Sequence, residues 1–184
     1  VISVGRPGDE AIGAYLGVKA REEPTYRVEA PPAGRFHRDA IVRVLGQGDG
    51  AFMRACDGLD RWQAHRGSGV EVFPADAQLA AGATVAVLTR QMGLWVLAAC
   101  RVIAVEDGPD VHGFTYATLP DHPECGVESF TVRRVGPEVR FEIEATSRPG
   151  VPLVRVAAPV ARLLQHRATA AYGDALKDWV DAQA

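Results

Sequence analysis

A tyrosine, a histidine and three carboxylates are gathered in one short stretch of this chain, Tyr116-Ala-Thr-Leu-Pro-Asp-His122-Pro-Glu124-Cys-Gly126-Val-Glu128-Ser-Phe130. These are residue types that move protons. A carboxylate placed among apolar side chains is held neutral to a higher pH than in water, which brings it toward the range useful for general acid or base catalysis. His122 precedes Pro123, which keeps its backbone extended and gives its ring a fixed direction. Tyr116 can orient a carbonyl or hydroxyl of a ligand, or can simply bond a partner within a core.

Residues two apart on a strand share a face, so alternation tells which side chains meet. In residues 139–147, Val139, Phe141, Ile143 and Ala145 face the core and Arg140, Glu142, Glu144 and Thr146 face water, which turns Ser147 inward. In the preceding strand Glu128 shares the parity of Phe130 and Val132. An inward Glu128 is expected. Phe114, Tyr116 and Thr118 share a face of the strand before that and approach the same space. Glu128, His122 and Tyr116 are therefore the expected catalytic set, with Thr118, Phe114, Ser147, Arg148 and Trp95 as ligand contacts. In the competing reading Glu128 ties down the 119–126 loop through backbone amides, or pairs with Arg148 or Arg134. His122 in that reading is a loop histidine bonded to a carbonyl.

Other chemistries fit less well. Asp121, His122, Glu124 and Cys125 are too close in sequence to converge on one ion, and no distant paired ligands complete a site, so no metal is expected. Cys125 and Ser147 lack a recognisable nucleophile elbow or an assigned base. Gly46-x-Gly48-x-Gly50 lacks both the dinucleotide spacing and the Lys-Ser/Thr of a phosphate loop. No cofactor is expected.

The elements that must position these residues follow from periodicity. Residues 9–20 read as a short helix capped by Asp9, with Ala11, Tyr15 and Val18 on one side. Residues 40–45 read as a strand, and Asp49 as the cap of a helix carrying Phe52, Ala55, Cys56, Leu59 and Trp62 at helical spacing. Six strands follow, at 70–73, 84–90, 95–105, 113–118, 128–135 and 139–147, with connections as short as Gly136-Pro137. A helix over about 153–180 ends the chain, its stripe running from Leu153, Val156, Val160, Leu163, Leu164 and Ala168 to Ala171, Tyr172, Ala175, Leu176 and Trp179. Pro159 either begins or kinks it. The fold class is α+β: a curved antiparallel sheet of about seven strands wrapped around a long C-terminal helix, with one or two N-terminal helices. Only that last helix is long enough to cover the sheet, and the hollow between them is a natural small-molecule site.

At 184 residues the chain reads as one domain, residues 1–184, with room for a core that needs no disulfides. A net charge of -3 argues against nucleic acid, and the basic run 162–167 reads as a solvated helix face. Cys56, Cys100 and Cys125 are scattered and odd in number, which fits a reducing cytoplasm. No apolar stretch approaches the roughly 20 residues of a membrane helix, and nothing at the N-terminus reads as a signal peptide.

The central motif, with Trp62, Phe141-x-Ile-x-Ala-x-Ser147-Arg148-Pro149 and a tail ending in Tyr172, resembles the domain of unknown function 1990 family. Residues from Leu45-Gly-Gln-Gly48 through Phe52 to Trp62 are similar to its N-terminal half, so the resemblance covers nearly the whole chain. It implies a helix-grip fold of the Bet v 1/START-like kind. Asp121, Ala117 and Val127 depart from the family's usual residues and bear on substrate preference, while the tyrosine, histidine and Glu128 remain. The expected function is to bind an apolar or polyketide-like metabolite. Two versions stay open: a cyclase- or dehydratase-type enzyme that transfers protons, and a non-catalytic lipid or metabolite carrier.

Overall fold

The computed structural model describes residues 1–150 and 158–184, with side chains from residue 169 onward in the last helix. The chain runs β1 (Ile2–Ser3), α1 (Asp9–Lys19), β2 (His37–Gln47), α2 (Gly48–Asp60), α3 (Gln63–Gly67) and β3 (Glu71–Phe73). It continues through β4 (Thr84–Gln91), β5 (Leu94–Gly108), β6 (Val111–Thr118), β7 (Glu124–Val135), β8 (Glu138–Pro149) and α4 (Ala158–Ala182). The sheet order is β2-β8-β7-β6-β5-β4-β3, every pairing is antiparallel, and β1 adds to β5.

Five consecutive strands pair with their sequence neighbours because short connections leave no other partner within reach. At the tightest of them, Gly136 has φ 61 and precedes Pro137, the backbone sense of a type II′ turn that matches strand twist. Register shifts between Val102 and Ala104 on β5 and between Val44 and Gly46 on β2 act as bulges, and bulges bend a sheet. The bent sheet closes over one cluster. Its inner face contributes Val102, Phe114, Phe130, Val132, Phe141 and Ile143, against Phe52, Ala55 and Leu59 of α2 and Leu176 and Val180 of α4. Each large side chain fully buried here contributes about 2 kcal/mol relative to exposure.

The outer face is also covered, which the sequence reading did not anticipate. Ile12 of α1 packs on Ala86, Leu88 and Leu97, with Tyr15, Leu16 and Trp95 at the margin. The buried side of α1 is therefore Ile12 and Lys19, whereas Val18 is exposed. Its orientation is set at its C-terminal end. Lys19, nearly sealed from solvent, reaches Asp121 and Glu22 at 2.8 Å each, and Arg101 donates to the Ala20 carbonyl at 3.0 Å. Neither expected cap operates: Gly8 precedes α1 and Gln47 precedes α2 without side-chain cap bonds, while Asp9 binds Arg6 and Asp49 binds Arg134.

Two further differences concern the helices. α2 stops at Asp60 because Trp62 adopts φ 59, and a short α3 follows where the sequence suggests no separate element. Pro159 lies in the first turn of α4, where a missing N–H costs nothing. The expected start at Leu153, and the side chains at Val160, Leu163, Leu164 and Ala168 and in the basic run 162–167, lie outside the described residues. None of the helices among the described residues is long and apolar enough to cross a membrane.

Candidate functional site

Tyr116 on β6 and Glu128 on β7 are direct cross-strand partners, so their side chains leave the sheet together. The Tyr116 hydroxyl donates to Glu128 Oε2 at 2.7 Å. Behind them stand Cys100 and Val102 of β5, and on the far side of Glu128 stands Ala145 of β8. The small alanine matters, since a bulky residue there would fill the space before the carboxylate. Tyr116 and Ala145 are each 6% exposed while Glu128 keeps intermediate exposure, so what reaches Glu128 comes from beneath the grip and not from between the strands.

Burial raises the Glu128 carboxyl to about 7, with the Tyr116 hydrogen bond working against the shift and the nearby Glu124 adding to it. At neutral pH the group is close to half-protonated and can give or take a proton. Tyr116 itself is pushed well above the ordinary phenol range, by burial first and then by the charge of Glu128. Glu124, four residues back on the same face, is raised by burial, relieved by a hydrogen bond from Ser147, and raised further by Asp39 across on β2. Carboxylates thus follow one another along one end of the inner face, while rings fill the other.

Tyr116 and Glu128 are the only two of the expected catalytic set that the described contacts join. His122 is half-buried in the loop instead, where its Nδ1 lies 3.0 Å from both the amide nitrogen and the carbonyl oxygen of Glu124. Burial holds His122 down to about 4, so it is neutral at physiological pH. Neither rival partner of Glu128 takes that part: Arg148 donates to the Ala33 carbonyl at 2.9 Å and lies over the Phe36 ring, and Arg134 pairs with Asp49. Phe114 stacks on Phe130 at 5.1 Å beneath the grip. Trp95 does not join them, because it lies in the α1 cluster on the opposite face of the sheet.

Thr118 is committed to structure. Its Oγ1 accepts from the buried Gly126 amide at 3.0 Å and meets Thr25 Oγ1 at 2.6 Å, which clamps the two ends of the motif loop together. Thr118→Val keeps the shape but leaves that amide without a partner, a loss of about 1–3 kcal/mol. A fall in urea midpoint of that size, with faster hydrogen exchange at the Gly126 amide, is the expected result.

Among the described residues no group of three or more His, Cys, Asp or Glu side chains is placed to hold a metal ion. The motif residues diverge: Asp121 turns to Lys19, Glu124 faces the grip, and the Cys125 thiol contacts the Thr25 carbonyl. All three cysteines are free thiols.

Two residues near the carboxylate escaped the sequence reading as site members. Tyr172 of α4 lies 5.7 Å from the Phe130 ring, its hydroxyl raised by burial and then by the charge of Glu128. His65 of α3 is 1% exposed among rings, with centroids at 4.6 Å to Tyr172, 4.8 Å to Phe130 and 6.0 Å to Tyr116. Trp62 ends one helix at φ 59 and His65 begins to face the core from the next, the two rings lying 5.1 Å apart.

A family model described as a domain of unknown function, DUF1990, matches residues 18–175. A UPF0548 protein of Dictyostelium discoideum is 30% identical over 88% of each chain, and one of Deinococcus radiodurans is 34% identical over 90% of this chain and 92% of its own. Among solved structures, a START superfamily protein from Mycobacterium smegmatis superimposes with a TM-score of 0.56 at 12% identity, covering 82% of this chain and 100% of that one. The fold is accordingly of the START-like, helix-grip kind, and the chain belongs to the DUF1990 family.

Proposed function

We propose that this protein binds an apolar small molecule between its sheet and last helix and moves a proton within it, in a dehydration, elimination or cyclisation. The observation that carries this reading is a carboxyl poised near neutrality that is bonded to Tyr116 on the inner face of the sheet. A carrier of the same fold needs no such group.

In a dehydration the Glu128 carboxylate takes a proton from the carbon beside a carbonyl, and the electron pair left behind forms an enolate. Once Glu128 is protonated it no longer needs the Tyr116 hydrogen bond, so the hydroxyl is free to donate to the enolate oxygen. The enolate then collapses and expels the β-hydroxyl, which leaves as water with the proton returned by Glu128. Proton count and charge close. His122 acts through the loop, where its bond to the Glu124 backbone fixes the start of β7. The dry surroundings and fixed geometry supply the rest of the rate. Three free thiols suit a reducing compartment such as the cytoplasm.

The test begins with native mass spectrometry of protein purified from its host, to identify the molecule that co-purifies. Turnover of that molecule by the parent and by Glu128→Gln is then compared across pH. A loss of about 100-fold or more, with a parent rate that titrates near pH 7, is expected. Release of an unchanged molecule, with Glu128→Gln binding it as the parent does, would establish the carrier instead.

A further inference from the structure

Among the described residues, His65 is a sealed imidazole beneath the grip that proton transfer at Glu128 leaves without a task. Among the described residues neither of its ring nitrogens has a hydrogen-bond partner. A neutral imidazole presents one N–H and one lone pair, and leaving such groups dry and unpaired costs about 1–3 kcal/mol each. A phenylalanine or leucine would occupy the same apolar space at no such cost. The backbone leading to His65 carries a second cost, because Trp62 is a bulky residue held in the left-handed region at φ 59. Its indole is fixed there by a bond to the Ala77 carbonyl at 2.9 Å. Two local costs therefore meet in one short segment whose outcome is to deliver an imidazole to the inner face of the sheet.

Tyr172 packs on one side of that imidazole and Tyr116, the partner of Glu128, on another. The Tyr172 ring is 4.6 Å from the His65 ring, it keeps some exposure where His65 has almost none, and its hydroxyl feels the charge of Glu128. The remaining walls are flat rings, with Phe114 stacked on Phe130 and Tyr116 tilted against both.

We infer that His65 is the second polar contact for the molecule held in the grip, reached when Tyr172 turns aside, and that this molecule is flat and apolar with a hydroxyl or carbonyl at each end. One end meets Glu128 and Tyr116, and the other satisfies His65. The inference rests on the reading that the grip holds a small molecule, and it adds a specificity residue and a substrate shape to that reading.

The probes are a naphthalenediol with hydroxyls at opposite ends and the naphthol that lacks one of them, followed by calorimetry, by nitrogen NMR of the labelled imidazoles and by carboxyl-carbon NMR of the glutamates. The diol is expected to bind the parent about ten-fold more tightly than the naphthol, the worth of one buried hydrogen bond, and to shift the His65 ring nitrogens. His65→Phe should erase the preference while melting at a higher temperature than the parent. Equal binding of the two probes, with signals at Glu128 moved and those of His65 unmoved, overturns the inference and leaves the small-molecule reading standing. Binding of neither probe removes both. Should His65→Phe fail to fold, the ring-nitrogen shifts in the parent decide the matter alone.

Discussion

Glu128→Gln is expected to make the protein more stable at pH 8 and to leave its stability unchanged well below pH 4.5. The native carboxyl releases its proton near 7, whereas in the unfolded chain it does so near the ordinary value of 4.5. Below 4.5 both states hold the proton and the group favours neither. Between 4.5 and 7 the native state keeps a proton that the unfolded chain has lost, so the contribution of Glu128 to stability falls as pH rises. Above 7 the full cost of the buried charge is felt, on the order of 3 kcal/mol at 1.36 kcal/mol per unit. Glutamine stays neutral throughout and its carbonyl oxygen can still accept from Tyr116. For a chain of this length the gain corresponds to roughly 8 °C in melting temperature. His65 and His122 act in the opposite sense, since their native values near 3 and 4 lie below the ordinary 6.5 and withdraw stability as pH falls below 6.5. They are common to both proteins, so the difference between variant and parent across pH isolates the carboxylate. A Glu128→Gln protein less stable than the parent at pH 8 would mean that the charge is matched by a partner, and the poised-proton reading would fall with it.

That carboxylate was legible in the sequence because β7 and β8 have one apolar face and one polar face. Val139, Phe141, Ile143 and Ala145 alternate with Arg140, Glu142, Glu144 and Thr146, and such a strand admits one orientation. Register then brings Glu128 opposite Tyr116. β5 offers no such guide. Both of its faces are apolar, Cys100 and Val102 inward and Trp95 and Leu97 outward, so alternation does not say which side holds the ligand. Trp95 was assigned to the wrong face for that reason. Arg148 shows the same limit at a strand end, where it leaves the sheet to bind the backbone of a loop. α1 was misjudged by about one residue because its weakly amphipathic pattern does not reveal the anchor at Lys19, which depends on Asp121, far away in sequence. His65 was missed because a left-handed tryptophan starts a new helix where periodicity alone ends the old one.

Gly126→Ala is expected to be the most damaging single-methyl change in the motif. Gly126 pairs with Ser147 across β7 and β8, and a Cβ built on it would stand 2.1 Å from the Thr146 carbonyl oxygen and 2.7 Å from Ser147 Cα. Both obstacles are backbone, so no rotamer change relieves them. Relief requires the two strands to part, which also strains the bond from the Gly126 amide to Thr118 and the contact between Ser147 and Glu124. The expected cost is about 3 kcal/mol or more, read as a lower urea midpoint with an unchanged slope. Its effect on the site is the sharper test. Glu128 lies two residues along the same strand face, so parting β7 from β8 lets water in and removes the main cause of its raised pKa. Carboxyl-carbon NMR should find Glu128 titrating well below its parent value in Gly126→Ala, moving toward 4.5. A Glu128 that still titrates near 7 in a destabilised Gly126→Ala protein would show that the burial raising its pKa does not depend on how tightly the last two strands close behind it.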